Sequence, residues 1–358
     1  MNCDTHYENL YSKKSFWDIM SSTKIQFHNR LYCHTKFPEN DFFFSLVDYR
    51  NSYFTSENSD KIIEFYKGFD NREQLINWMR ERPKGSFTIH EVVGENDIVV
   101  VITTADFDGK YAKDCRESIF KGLHIIFVES GGRGDFYFNY SHNCNVGIRK
   151  AMEYNPKWVV VSNDDMFKID DVESLKEELD KMNYKEVSTV FTTPSIYHSV
   201  PVKLAKHRLS FLIFMKMRSE KNRIRLNLWK KFHVSLFLPR RGLIWSLLYR
   251  KGIPCFSISA FGIYSTMFLK DFIVQNNGLF DETFITATED IDLSLKITLT
   301  RNDFQFINYR IGDFINGTIG PSFSKQMRDL AGDTLLNYLI DSGNDSTHQK
   351  IKEIIRTK

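Results

Sequence analysis

The sequence predicts an α/β protein: a mostly parallel, doubly wound central sheet flanked by helices, with an N-terminal extension and a basic helical insertion. Three observations carry this expectation. Continuous β-branched runs such as DIVVVIT and WVVV suit strands buried on both faces of a sheet. Amphipathic stretches alternate with these runs in a strict βαβαβαβ order, which calls for parallel strands joined by right-handed crossovers. The 358 residues are 42% hydrophobic and 15% aromatic, with 31 Phe, which supplies a packed core and argues against extended disorder.

Texture changes divide the chain at residues 1–94, 95–195, 196–255, 256–322 and 323–358. The first segment is polar and aromatic-rich, with helical patterns in SDKIIEFYKGF and REQLINWMRER. In the second, DIVVVIT is a strand, and KYAKDCRESIFKG is a helix closed by Gly122. LHIIFV is the next strand, NVGIRKAMEY a helix and KWVVVS a third strand. DDVESLKEELDKMN is a helix with the acidic start that the helix dipole prefers, and VSTVFTT a fourth strand. FSISAFGIYSTMF returns to strand character. Thr286 with Glu289 fits a capping box, and Ile291, Leu295 and Leu299 then mark a helix face. Residues 323–358 form one or two amphipathic helices.

Charge and cysteines exclude several classes. A formal charge of +3 says little about partners, but its distribution says more. Between residues 203 and 251, Lys203, Lys206, Arg208, Lys216, Arg218, Lys221, Arg223, Arg225, Lys230, Lys231, Arg240, Arg241, Arg250 and Lys251 face a single acid, Glu220. Apolar side chains interleave with them, which suits an anionic membrane surface, a phosphate-bearing partner or a solvated helical face. No nucleic-acid motif accompanies the charge, so no nucleic acid is expected. Cys3, Cys33, Cys115, Cys144 and Cys255 are too scattered for a zinc or disulfide framework, and the N-terminus lacks the apolar core of a secretory signal. The nearest apolar stretch, 232–249, is cut by Pro239, Arg240 and Arg241. The expected location is cytoplasmic, with peripheral attachment at the cytoplasmic membrane face as an option.

In a doubly wound sheet, ligands bind outside the carboxyl ends of the strands. Three polar clusters fall there: Thr103, Thr104 and Asp106; Glu129, Ser130 and Gly131; and Asn163, Asp164 and Asp165. Asn163–Asp165 could cap a turn, or bridge Mg²⁺ or Mn²⁺ to a diphosphate, because such cations are held by one or two carboxylates plus substrate phosphates. The glycines after Glu129 permit close backbone approach to a ligand, though they form neither a spaced dinucleotide fingerprint nor a P-loop. Thr288-Glu289-Asp290, followed by Asp292, is either ordinary acidic enrichment in a first helical turn or a carboxylate placed to accept a proton.

Read in order, DIVVVITTAD, IIFVESGGRGD, NVGIRKA, WVVVSNDD, SAFGIYSTMF, GLFDETF and TEDIDLSLKI resemble the successive motifs of family 2 glycosyltransferases, whose GT-A fold is Rossmann-like. The resemblance covers roughly residues 97–310. It implies a nucleotide-sugar-binding half over 95–195 and an acceptor and catalytic half over 256–322. Thr103, Thr104, Asp106, Glu129, Ser130 and Gly131 would bind the nucleotide, with Asn145 and Gly147 shaping the pocket. Asp165, with Asn163 and Asp164 beside it, would hold a divalent metal (Mn²⁺ or Mg²⁺) and the donor diphosphate. Asp290 would be the catalytic base, supported by Glu289 and Asp292. The implied activity is inverting transfer of a sugar from a nucleotide-sugar donor to the hydroxyl of a glycan or lipid-linked acceptor. A polyprenyl-phosphate sugar synthase is the same-class alternative, and a non-catalytic polyanion- or lipid-binding protein using residues 203–251 is the rival. Two departures stand out: Asn163 replaces the first Asp of the metal motif, and FINYRIGDFINGTIGPS lacks the histidine that many members place there.

Overall fold

The computed structural model describes residues 49–130, 136–192, 197–200, 228, 231, 238–239, 253–256, 260–314 and 323–357. All belong to the compact unit Val47–Lys358. Most of the basic segment 203–251, Gly131, residues 315–322 and the first 48 residues lie outside this set, and so do the expectations that fall on them.

Two helices come first, α1 (Ser59–Lys67) and α2 (Arg72–Glu81), where the sequence patterns place them. Asn58 and Asn71 cap them, each side-chain oxygen accepting from a first-turn N–H. The sheet follows with β1 (Thr88–Val92), β2 (Glu95–Thr104) and α3 (Lys110–Asp114), which runs on as a π-turn over Cys115–Ile119. Then come β3 (Leu123–Glu129), α4 (Tyr140–Met152), β4 (Trp158–Asn163), β5 (Met166–Lys168), α5 (Val172–Asp180) and β6 (Thr189–Thr192). Three short strands, β7 (Tyr197–Val200), β8 (Leu238–Pro239) and β9 (Ile253–Phe256), pair in the order β8-β7-β9. The chain finishes with β10 (Phe261–Ser265), α6 (Thr266–Asn276), α7 (Glu289–Thr300), β11 (Gln305–Ile307), β12 (Ile311–Asp313), α8 (Phe323–Ser342) and α9 (Ser346–Thr357).

The central sheet has seven strands in the order β1-β3-β2-β4-β10-β6-β11. The pairs β3/β2, β2/β4 and β6/β11 are parallel, as the βαβ alternation requires. The wholly parallel run that the alternation suggests is interrupted, however. Strand β10 lies antiparallel between β4 and β6, and β1 adds an antiparallel edge beside β3. Hydrophobic runs report burial and not direction, so FGIYS reads as a strand but its reversal does not. The sheet is therefore mixed.

Both faces of β2 are covered, which is why it needs no polar alternation. Val100 and Ile102 pack with Cys115, Ile119 and Leu175, while Val99 and Val101 pack with Cys144, Ile148 and Leu293. Gly147 lets α4 sit directly on the sheet, since a Cβ there would fall 2.3 Å from Val101 Cγ1. A third core is mainly helical. It joins α1 and α2 to α8 and α9, with Phe65, Tyr66, Leu75 and Trp78 packed against Met327, Leu330 and Leu335. Leu228, from the basic segment, is buried in this core, and Lys231 donates to the Phe69 carbonyl. Helix α7 is shared between cores, giving Leu293 and Ile297 to the sheet and Ile291 and Leu295 to the helices. Among the described residues no helix is long and apolar enough to cross a membrane.

Candidate functional site

The carboxyl ends of β2, β3 and β4 lie side by side, because Thr103 is in register with both Val128 and Asn163, and Thr104 with Glu129. The three polar clusters expected there do converge. Thr104 Oγ1 donates to Asp164 Oδ2 at 2.8 Å, which ties the end of β2 to the turn after β4. The Asp106 and Ser130 backbone N–H groups donate to Thr104 Oγ1 and Thr104 O at 3.2 and 3.1 Å. The Asp106 side chain is exposed and turns back onto the Asp108 N–H. Ser130 Oγ is buried without a hydrogen-bond partner among the described residues.

Glu129 is held by a residue that the sequence patterns do not single out. Its carboxylate accepts from the Phe107 N–H at 3.0 Å and lies 2.7 Å from His90 Nε2 on β1. The Phe107 backbone bond, followed by His90, keeps the carboxyl below its usual range. The His90 and Phe107 rings stack with centroids 4.2 Å apart, and the Arg116 guanidinium lies over the Phe107 ring. Histidine reaches this site only because β1 pairs with β3, and TIHEV carries too little alternation to announce a strand.

The turn after β4 contains Asn163, Asp164 and Asp165. Asn163 N–H donates to the Ala260 carbonyl ahead of β10, and Asn163 Oδ1 accepts from the Tyr140 hydroxyl at 2.8 Å. Asp164 is buried and Asp165 half-buried, with the Asp165 carbonyl accepting from Phe314 N–H at 2.9 Å. These are hard oxygen donors of the kind that Mg²⁺ and Mn²⁺ select. The described residues contain no group of three or more His, Cys, Asp or Glu able to close around an ion. The turn thus offers two carboxylates of this kind, one of which already accepts from Thr104.

The acidic turn at the start of α7 is built differently. The capping box expected from Thr286 and Glu289 does not form: the N-cap is Thr288, at φ 77°, and its side chain makes no cap bond. A β-branched residue in the left-handed region costs roughly 1–3 kcal/mol and persists only where its surroundings over-determine it. Thr288 Oγ1 instead donates to Asp333 Oδ1 of α8 at 3.1 Å. Glu289 is buried, and its Oε2 has no hydrogen-bond partner among the described residues. Burial, reinforced by the neighbouring Asp290, pushes its carboxyl up to about 8, so it carries a proton at neutral pH. Asp290 is half-buried beside it.

Tyr140, at the start of α4, connects the two halves and is absent from the sequence motifs. Its hydroxyl reaches Asn163, its N–H donates to Ile285 O at 2.8 Å, and burial above all, with Cys144, Glu289 and Asp290 nearby, pushes its phenol well up. The Tyr264 phenol on β10 is raised in the same way, by burial, Cys144 and Asp290. Asp290 therefore acts electrostatically on groups from α4 and β10, both of which border the turn after β4.

Three expected site residues have structural employment. Asn145 Oδ1 accepts from the Leu279 and Phe280 N–H groups at 2.9 and 3.1 Å, and its Nδ2 donates to the Phe280 carbonyl at 2.8 Å. It thereby fastens the segment leading to α7 onto α4. Gly147 is a close-packing position against Val101. Asp292 is buried and lies 2.8 Å from both His348 Nε2 and Lys296 Nζ, with Asp345 2.9 Å from His348 Nδ1. It joins α9 to α7.

Compared with models of known protein families, with curated proteins and with solved structures, the chain matches none.

Proposed function

We propose that the protein is an inverting glycosyltransferase that moves a sugar from a nucleoside-diphosphate donor to an acceptor hydroxyl. The observation that supports this best is the pair Glu289 and Asp290, in which burial makes Glu289 a neutral acid beside a half-buried carboxyl group. Tyr140, whose hydroxyl donates to Asn163, ties α4 to the acidic turn at the sheet's carboxyl edge.

In this mechanism Thr104, Glu129 and Ser130 face the nucleoside, and the turn Asn163–Asp165 faces the diphosphate. Asp165 and Asp164 would hold Mn²⁺ or Mg²⁺, whose positive charge would offset the charge that develops on the leaving phosphate oxygen. The acceptor oxygen attacks the anomeric carbon from the side opposite the diphosphate, and the sugar–oxygen bond to phosphate breaks. Asp290 takes the acceptor's proton as the new glycosidic bond forms. Glu289, whose burial favours its neutral form, would support the geometry of the turn beside it.

The test is release of nucleoside diphosphate from UDP-, GDP- and dTDP-sugars with Mn²⁺, Mg²⁺ or EDTA, comparing wild type with Asp290→Asn. Release from one donor is expected, falling by about 10³-fold or more in the variant with donor binding preserved. No release together with no thermal stabilisation by any donor would overturn the proposal. Steeply salt-dependent binding to polyanions in that case would favour a binding protein.

A further inference from the structure

Glu289 and Asp290 follow directly on Thr288, so the direction of both carboxyl groups depends on one unfavourable backbone geometry. The N–H of Asp292 donates to the Thr288 carbonyl at 3.0 Å and begins the hydrogen-bond ladder of α7 from that residue. Threonine does not take φ 77° unaided, and its own side chain caps nothing. The support comes from α8. A Cβ on Gly332 would lie 2.2 Å from the Ala287 carbonyl oxygen and 2.9 Å from Thr288 Oγ1, so the helix backbone presses on the turn where only glycine fits. The next residue, Asp333, accepts the Thr288 hydroxyl proton. Asp333 is itself fixed along α8, where its carbonyl accepts from Asn337 Nδ2 at 2.7 Å. Behind this face, α8 is locked into the helical core by Tyr66, whose hydroxyl donates to the Met327 carbonyl at 2.6 Å.

We propose that Gly332 and Asp333 of α8 are positioning residues for Asp290: they hold Thr288 in the left-handed turn that directs the opening carboxyl groups of α7. The catalytic part of this statement rests on the glycosyltransferase reading; the backbone part does not. A strained residue before an acidic turn, held by contacts from an element 45 residues further along the chain, is the arrangement expected where geometry is imposed for function.

The experiment uses the full chain and two readouts, nucleoside-diphosphate release and amide exchange of the Asp292 N–H. Asp333→Ala lowers kcat by about 10- to 100-fold with the donor KM unchanged, as a small misdirection of a catalytic group does. Asp333→Asn, which keeps an acceptor oxygen, restores turnover; a loss equal to that of Asp333→Ala would overturn the assignment. Thr288→Val removes the same hydrogen bond without touching α8, repeats the loss and guards against a misfolded α8 variant. In a Thr288→Gly background the turn needs no hold, so adding Asp333→Ala changes nothing further, whereas an additive loss would sink the idea. Exchange at Asp292 rises about tenfold in Asp333→Ala and Thr288→Val if the turn opens more often. Should wild type release no diphosphate from any donor, the glycosyltransferase reading falls, and exchange alone decides the positioning claim, with unchanged exchange refuting it.

Discussion

The turn after β4 and the turn before α7 both present acidic groups, but they are held in place by different means. Asn163–Asp165 follows a strand hydrogen-bonded on both sides, by β2 and β10, and its side chains are tied by Thr104 of β2 and by Tyr140 of the helix packed on the sheet. Glu289–Asp290 depends on side chains of α8 and α9, Asp333 and His348, that meet α7 across a helical interface. A backbone ladder tolerates side-chain changes, because its bonds do not depend on residue type. A turn held by a few side chains is exposed to each of them singly, and can be adjusted by each.

Asp292→Ala should break the helical side most severely. It leaves the buried His348 and the half-buried Lys296 with Asp345 as their remaining acidic partner, a loss towards the lower end of the roughly 3–5 kcal/mol that breaking a buried ion pair costs. Chemical denaturation measures this, and a change below about 1 kcal/mol, the scale of an exposed pair, would show that the cluster is not a structural tie.

The same cluster makes the helical side pH-sensitive. Burial alone would lower His348, but its bonds to Asp292 and Asp345 outweigh that and raise it to about 9. A folded value above the unfolded one, roughly 6.5, gives stability fully present below that pH and lost as pH rises through 9. Asp345 runs the other way: burial is outweighed by His348, its value falls to about 2, and its contribution disappears as pH drops through that range. Glu289, raised to about 8, adds a loss that grows from roughly pH 4.5 to 8 as the unfolded carboxyl ionises first. Melting temperature should therefore decline from about pH 4.5 upward, and Glu289→Gln should reduce the decline between about pH 4.5 and 8. An identical slope in the variant across that window would refute the raised carboxyl of Glu289.

The sheet side is sharpened by Gly147→Ala. The added methyl meets Val101 Cγ1 at 2.3 Å, and overpacking of this kind costs about 1–3 kcal/mol. The effect should appear in stability and leave the pH profile of the helical side unchanged. Tyr140→Phe is the mildest change. It removes one hydrogen bond to Asn163, worth about 1 kcal/mol, and should weaken stabilisation by a nucleoside diphosphate more than it weakens the fold. Equal effects on both would make Tyr140 a packing residue only.

This contrast also governs how much could be read from the sequence. WVVVSNDD shows a buried run ending in polar groups, and the strand-edge rule then places Asn163–Asp165 at the sheet's carboxyl edge, where the structure has them. The helical patterns of α1, α2, α8 and α9 were legible from their apolar spacing, yet nothing local says that the two ends of the chain share one core. Asp333 and His348 lie in ordinary amphipathic helices, and their partners Thr288 and Asp292 are 45 and 56 residues distant. The capping-box pattern at Thr286 was outcompeted by the Thr288–Asp333 bond, a tertiary contact overriding a local preference. His90 was missed because β1 is a short edge strand, and the reversal of β10 because residue patterns carry burial and not strand direction.

Two free thiols lie under the two turns. Cys115 Sγ, in the π-turn that ends α3, donates to the Asp164 carbonyl at 3.3 Å, and Cys144 on α4 sits within the electrostatic reach of Tyr140 and Glu289. Burial raises both thiols well above their ordinary range, so neither forms the reactive thiolate while the surrounding structure is closed. Alkylation of each sulfur is therefore a clock on local opening, with Cys115 timing the strand edge and Cys144 the floor beneath the acidic helix start. Labelling rates followed by mass spectrometry would show which of the two turns opens more often, and whether adding a candidate donor slows either.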